Sequence, residues 1–241
     1  MPLVEFRNVS YEVGGRQILS EVNFTVEAGE TLVLLGRSGS GKTTALKMTN
    51  GMLFPTTGEV RVEGRPTTEW DPIRLKRHIG YVIQEVGLFP HFTVAENVGL
   101  VPALEGWPAA DVEQRVEKLL GGMGLPPTEY LRRYPRELSG GQRQRVGVAR
   151  ALAADPPLLL FDEPFGALDP VTRVELQRQF LDLRSELRKT SIFVTHDVRE
   201  ALRLGTRIGL LTRGRLEVAA DPQTFRNART DEALAFLGSL E

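Results

Sequence analysis

Residues 36–43 read Gly36-Arg37-Ser38-Gly39-Ser40-Gly41-Lys42-Thr43, and Thr44 follows. The spacing G-x-x-x-x-G-K-[ST] is that of a loop that cradles phosphate. A glycine-rich turn between a strand and a helix can aim several backbone N–H groups at one anion, and the helix N-terminus adds a partial positive charge. Lys42 has the reach for the β- and γ-phosphates of a nucleotide, and the Thr43 hydroxyl suits Mg²⁺. The flanks agree with this reading. An apolar, β-prone run, Thr31–Leu35, precedes the loop, and a helix-competent segment, 43–50, follows it. These residues predict that the chain binds a nucleoside triphosphate.

A second group of residues could complete the chemistry. The apolar run Leu158–Asp162 ends in a carboxylate, and Glu163 follows directly. In a parallel sheet the carboxyl ends of the strands face the ligand crevice, so both acids would arrive at the phosphates. Asp162 suits the Mg²⁺ shell, and Glu163 is placed to accept a proton from the attacking water. A solvated turn at Pro164 is the plainer alternative. His196 ends the run Ile192-Phe193-Val194-Thr195. An imidazole there can hydrogen-bond a γ-phosphate and register its presence. His78 and His91 have no such setting. Gln84 closes the run Gly80-Tyr81-Val82-Ile83, and its amide oxygen could ligate Mg²⁺ or orient water. A glutamine at a strand end is otherwise commonplace.

Leu138-Ser139-Gly140-Gly141-Gln142 is the other sharp signal. Ser139 with Gln142 three residues on is a capping-box pattern, so a helix is expected from here through Ala154. Capping and turning alone would explain the serine and the glycines. Two glycines at a helix start also bare N–H groups to an outside anion. A second phosphate-binding helix end makes sense if it receives the nucleotide of another subunit.

The elements that must position these residues follow from apolar patterning. The first 30 residues alternate in a β-like way, with Gly14-Gly15 as a turn, and 58–64 reads as a further short strand. Together they predict an antiparallel patch. Runs 31–35, 79–83, 158–162 and 192–195 are apolar enough for buried parallel strands. Between the second and third lies a mostly helical stretch, 93–154, with Val112, Val116, Leu119 and Leu120 at helical spacing. Runs 207–212 and 215–219 flank Gly214 as a late hairpin, and 231–240 is an amphipathic tail.

Bulk properties narrow the class. The chain has 241 residues, 41% hydrophobic and 25% charged, so it can build a core and is not a disordered type. A net charge of −1 argues against nucleic acid as a partner. It has no cysteine, which excludes disulfides and thiolate metal sites. No secretory leader and no apolar run of about 18–20 residues is present, so a soluble, cytoplasmic chain is expected.

Taken together, these motifs resemble those of the ATP-binding subunit of an ABC transporter. Gly36–Lys42 with Thr43 is its Walker A loop, Gln84 its Q-loop, Leu138–Gln142 its signature, and Leu158–Asp162 its Walker B strand. Glu163 matches the catalytic glutamate, Ala167-Leu168-Asp169 the D-loop, and His196 the switch histidine. The resemblance implies an α/β fold: a P-loop NTPase (RecA-like) core with an antiparallel β-subdomain and an inserted α-helical subdomain. It implies one ATPase domain over 1–241, with 1–84 and 155–241 as catalytic core and 85–154 as the helical insertion. It also implies a head-to-tail homodimer or heterodimer that holds two ATPs with Mg²⁺. Each ATP would lie between the Lys42 side of one subunit and the Ser139–Gly141 side of the other, with Asp169 nearby. One position departs from the pattern. Where the family stacks adenine on an aromatic, this chain has Val13, with Tyr11 two residues earlier.

The stretch 85–94, with GYVIQ and FDEPFGALDPVTR, looks most like ATPases of osmoprotectant importers for glycine betaine, choline or carnitine. That likeness implies membrane permease subunits as partners, a substrate-binding protein as an indirect one, and a place on the inner face of the cell membrane. Leu88, Phe89 and Phe92 would form an apolar groove for a helix of the permease. Many such ATPases carry C-terminal CBS-type sensors. None follows before Glu241, so no osmosensing role is expected. Two other readings remain, a lipid or lipoprotein export ATPase and a soluble ABC ATPase acting on ribosomes or DNA. The second usually carries two cassettes or a long coiled coil, and neither is found in this sequence.

Overall fold

The structure is a computed structural model and describes residues 1–84, 87–166, 168–187 and 189–240. It divides into two compact units, Met1–Lys76 with Lys189–Glu241, and Arg77–Arg188. The elements begin with β1 (Val4–Val13), β2 (Arg16–Val26), β3 (Thr31–Leu35), α1 (Lys42–Thr49), β4 (Thr57–Val62), β5 (Arg65–Pro66), α2 (Pro72–His78) and β6 (Ile79–Val82). Next come α3 (Val94–Leu104), α4 (Ala109–Gly122), α5 (Pro127–Tyr130), α6 (Gly140–Leu152), β7 (Leu158–Asp162) and α7 (Pro170–Leu187). Last are β8 (Thr190–Thr195), α8 (Val198–Leu204), β9 (Arg207–Thr212), β10 (Arg215–Ala220), α9 (Pro222–Phe225) and α10 (Asp231–Gly238).

In the first unit, the alternating N-terminal residues form the antiparallel sheet β2-β1-β4-β5. Phe6 pairs with Phe24 on one side and Val60 on the other, and the two phenyl rings stack at 4.2 Å. The same unit holds the strand order β10-β9-β3-β8. All five residues of β3 are buried, which is why it reads as an unbroken apolar run. It runs parallel to β8, from Thr31↔Ser191 to Leu35↔Thr195, and parallel to β9 on its other edge. This register matters for the site. Gly36 and His196 are the next residues after a matched pair, so the two chains leave the sheet at one level.

In the second unit, β6 runs parallel to β7, from Ile79↔Leu158 to Val82↔Phe161. The expected strand 79–83 is one residue too long, because pairing stops at Val82; Gln84 therefore lies beyond the strand. Helices α3, α4 and α6 pack on one another, and Val116, Leu119 and Leu120 bury the apolar stripe of α4. Helix α6 ends at Leu152, two residues earlier than expected. Pro156 and Pro157 lie just beyond and cannot donate to a helix.

Candidate nucleotide site

The phosphate loop is built by β3, α1 and the β9–β10 hairpin. Gly41 sits at φ 102°, and a Cβ there would lie 2.5 Å from Leu19 Cδ2 and 3.0 Å from the Ile18 carbonyl oxygen. Only glycine tolerates both the dihedral and the space. No side chain caps α1 at Gly41, so the positive end of the helix is directed into the loop. Lys42 folds back over the loop, and Nζ donates to the carbonyls of Gly36 at 2.8 Å and Arg37 at 3.0 Å. The lysine is 4% exposed. The Ser40 hydroxyl is buried with no hydrogen-bond partner among the described residues. A buried cation and an unanswered hydroxyl within one turn are what a phosphate group would satisfy. Thr43 and Thr44 are half-buried in the first turn of α1, and Ser38 and Gly39 are exposed.

His196 is exposed at the end of β8. The turn from β8 into α8 is firmly held. The Thr195 hydroxyl donates to buried Glu200 at 2.6 Å and accepts from the Asp197 amide at 3.0 Å. Asp197 caps α8 by accepting from the Arg199 amide at 2.8 Å. The base-stacking position is open, with Val13 54% exposed and Tyr11 half-buried.

The candidate acidic residues lie in the second unit. Asp162 is buried at the end of β7, and the Tyr81 hydroxyl donates to its Oδ2 at 3.2 Å. Burial, and then the charge of Asp162, push the Tyr81 phenol well above its ordinary value. Tyr81 therefore stays a donor and fixes the carboxylate. Tyr81 is not among the residues the motifs point to; its signal in the sequence is a tyrosine inside a buried strand, whose hydroxyl needs a partner. Glu163 has φ 45°, the left-handed region, which costs a non-glycine residue about 1–3 kcal/mol. Strain of this kind gathers where a side chain must be aimed. A Cβ placed on Gly166 would stand 3.7 Å from Gln84 Nε2 and 3.9 Å from Glu163 Oε2, so both side chains converge on that glycine. Asp169 caps α7, accepting from the amides of Val171 and Thr172 at 3.1 and 3.0 Å. Hydrogen bonds from Thr172, side chain first, hold its carboxyl below the ordinary range. Ala167, of the same loop, lies outside the described residues.

Thr43, Gln84 and Asp162 offer a hydroxyl, an amide oxygen and one carboxylate. Among the described residues no group of three or more His, Asp or Glu side chains could hold a metal. The hydroxyl, the amide oxygen and the carboxylate are each a donor type that suits Mg²⁺, which takes one or two carboxylates plus substrate phosphates and keeps several waters.

Ser139 caps α6 as its spacing predicts. Its Oγ accepts from the Gln142 amide at 3.2 Å, and Gln142 Oε1 accepts from the Ser139 amide at 2.8 Å. Gln142 Nε2 also donates to the Tyr130 hydroxyl at 2.9 Å. The two glycines differ. A Cβ on Gly140 would meet open space, whereas one on Gly141 would lie 2.5 Å from Thr172 Cγ2. Gly141→Ala is therefore expected to lower stability by about 1–3 kcal/mol through overpacking. Gly140→Ala should leave stability unchanged or raise it by up to about 1 kcal/mol through helix propensity. Thermal melts of the two variants check this, and equal losses would show that Thr172 is not what excludes a side chain at Gly141.

Of the segment expected to dock a partner, Glu85 and Val86 lie outside the described residues. Phe89, His91 and Phe92 form an aromatic cluster, with ring centroids 4.6–6.1 Å apart. Buried Asn97 clamps this loop to α3. It accepts from the Phe89 amide at 2.8 Å and donates to the carbonyls of Phe89, Phe92 and Thr93. Phe89 is 41% exposed, and Leu88 and Phe92 are half-buried. A groove of about 730 Å³ opens beside the cluster, walled by Phe92, Leu100, Trp107, Val112 and Val116 among others. Leu88 and Phe89 are not in its wall, so of the expected residues only Phe92 lines it.

The chain is 48% identical to the osmoprotectant import ATP-binding protein OsmV of Salmonella typhimurium, over 92% of this chain and 57% of that one. It is 46% identical to the glycine betaine/carnitine/choline transport ATP-binding protein OpuCA of Bacillus subtilis, over 93% of this chain and 59% of that one. It thus spans under three fifths of the length of these relatives. A dimeric ATP-binding cassette, solved in a post-hydrolysis state with ADP and Pi, superposes with a TM-score of 0.81. That structure is 34% identical and covers 91% of this chain and 98% of its own. The fold is accordingly that of an ABC ATPase cassette, a P-loop NTPase core. The model of the ABC transporter family matches residues 19–166, a span that runs from within β2 to the glycine beside Glu163. By that match, and by the order in which its motifs fall, the chain belongs to the ABC transporter family.

Proposed function

We propose that this chain binds and hydrolyses ATP, and that it is the ATP-binding subunit of an importer of quaternary ammonium osmoprotectants. The observation that carries the reading is the phosphate loop, with Lys42 buried over two loop carbonyls and Ser40 Oγ unanswered beside it. Lys42, Ser40 and the loop amides of 36–44 bind the phosphates. Thr43, Gln84 and Asp162 would hold Mg²⁺, with Asp162 oriented by Tyr81. When bound, Mg²⁺ neutralises charge on the β- and γ-phosphates. Glu163 takes a proton from the attacking water, and His196 contacts the γ-phosphate. Ser139, Gly140, Gly141, Gln142 and Asp169 serve the ATP of a second subunit. In functional terms, residues 1–84 and 155–241 act as the catalytic core and 85–154 as the helical subdomain.

The names of the relatives support the import role and its substrates. The partners are a second ATPase subunit and membrane permeases, with a substrate-binding protein acting through them. No described helix is long and apolar enough to cross a membrane, and the chain works at the inner face of the cell membrane by docking on its permeases. Uptake of labelled glycine betaine, choline and carnitine tests this, in cells where this chain is the only ATPase for the system. Uptake with the wild type and none with Lys42→Ala is the expected result. ATPase activity without uptake of any of the three would overturn the substrate and leave the ATPase.

The aromatic cluster supplies a separate check on docking. Phe89→Glu is expected to abolish uptake while the isolated subunit keeps wild-type ATP binding. If the variant instead unfolds or loses ATP binding, the exposed ring is part of the core and not of a partner surface.

A further inference from the structure

The last helix of the first unit is lightly packed. Of its eight residues only Ala233 is fully buried, and Leu234 is 46% exposed. A helix with so little apolar contact depends on what holds its ends. Both ends of α10 are held by arginines from the phosphate-facing elements of the same unit. At its first turn, Arg37 Nε donates to Glu232 Oε1 at 2.6 Å. At its last, the Arg199 guanidinium donates to the Ser239 carbonyl at 3.0 Å. Each charge also suits the helix dipole at its end, acid at the start and base at the close.

The two arginines stand at informative places. Arg37 is the second residue of the phosphate loop, and its carbonyl accepts from Lys42 Nζ at 3.0 Å and from the Ser40 amide at 3.2 Å. Its backbone is thus tied inward to the lysine while its side chain is tied outward to α10. Around that side chain lies a cavity of about 370 Å³, walled by Arg37, Ser40, Thr212 and Glu232 among others, so the outer side of the loop has space where packing would otherwise hold it. Arg199 lies in the first turn of α8, three residues after His196.

We propose that Glu232 and Arg199 are positioning residues, and that α10 braces the phosphate loop and the His196 turn together. The inference rests on the reading of these two segments as the phosphate-facing elements. On it, undocking α10 loosens both at once and lowers nucleotide affinity without touching a group that meets the nucleotide. The effect is modest by nature. The Arg37 side chain is 69% exposed, so its ion pair with Glu232 is screened by solvent.

Hydrogen exchange in the nucleotide-free protein is the direct test. Glu232→Ala is expected to speed amide exchange in 37–42 and in 196–199 by up to about fivefold, the range of an exposed pair, with β3 and β8 unchanged. Faster exchange in α10 alone would overturn the proposal and make the ion pair a helix anchor only. A double-mutant cycle on ATP affinity of the monomer gives a second reading. Because Glu232 acts through Arg37, Glu232→Ala should weaken binding in the wild type and add nothing in the Arg37→Ala background. Equal losses in both backgrounds would sink the mechanism. If the wild type binds no ATP, the functional reading falls, and exchange in the nucleotide-free protein still decides the brace.

Discussion

Glu163→Gln slows ATP hydrolysis by about 10²–10⁴-fold while ATP stays bound, the expected loss for removing a general base. The amide is isosteric, so the contacts around Gly166 survive and only the proton acceptor is gone. With hydrolysis blocked, ATP persists and stabilises whatever state binds it, so the variant accumulates as a dimer in ATP and reverts in ADP. Size-exclusion chromatography in the two nucleotides reads this directly. The backbone supplies a control. Glu163 has φ 45°, a conformation that glycine adopts without cost. Glu163→Gly should lose hydrolysis as fully as Glu163→Gln and yet melt higher, since strain of about 1–3 kcal/mol is relieved. A Glu163→Gln variant that turns over ATP at near the wild-type rate would remove Glu163 from the role of base.

Ser139→Arg should abolish both hydrolysis and ATP-driven dimerisation while monomer affinity for ATP stays near wild type. The start of α6 offers an anion a favourable field, worth up to about 2 kcal/mol in good geometry. Ser139 and Gly140 are exposed, and a Cβ on Gly140 would meet nothing, so this helix start is open to a ligand from another molecule. An arginine there blocks the approach. It also removes the cap that Ser139 provides, a loss of about 1 kcal/mol, which Ser139→Ala reproduces without the bulk. Lys42→Ala would damage the other half of the proposed composite site. In a mixture of the two variants, the heterodimer gathers both lesions into one site and leaves the other intact. Dimer formation with ATP should therefore return in the mixture although each variant alone fails. If Ser139→Arg weakens ATP binding by the monomer as much as Lys42→Ala does, the signature serves its own subunit and the composite site is wrong.

The parts legible in the sequence were those governed by local pattern. Thr31–Leu35 and Leu158–Asp162 were readable as strands because burial on both faces leaves no polar interruption. The capping box at Ser139 was readable because donor and acceptor lie within four residues. The end of β6 is not legible in the sequence, because Ile83 continues the apolar run after pairing has stopped at Val82↔Phe161. What stayed hidden depends on distant partners. Tyr81 meets Asp162 across 81 positions, and Arg37 meets Glu232 across 195. Asn97 looks like an ordinary helix residue until its four hydrogen bonds to the preceding loop are seen. The dihedral of Glu163 is likewise set by the turn it belongs to, since no local rule places a glutamate at positive φ.

The groove beside Phe92 has one further property. The chain has two tryptophans, Trp70 in the first unit and Trp107 in the second, and Trp107 stands in the wall of that groove. A Trp70→Phe variant would leave a single indole fluorophore, and a helix seated in that groove, were it the docking surface, would displace water from it. Loss of water around an indole moves its emission to the blue. The groove thus carries its own optical reporter, by which the proposed docking could be followed in real time without a dye.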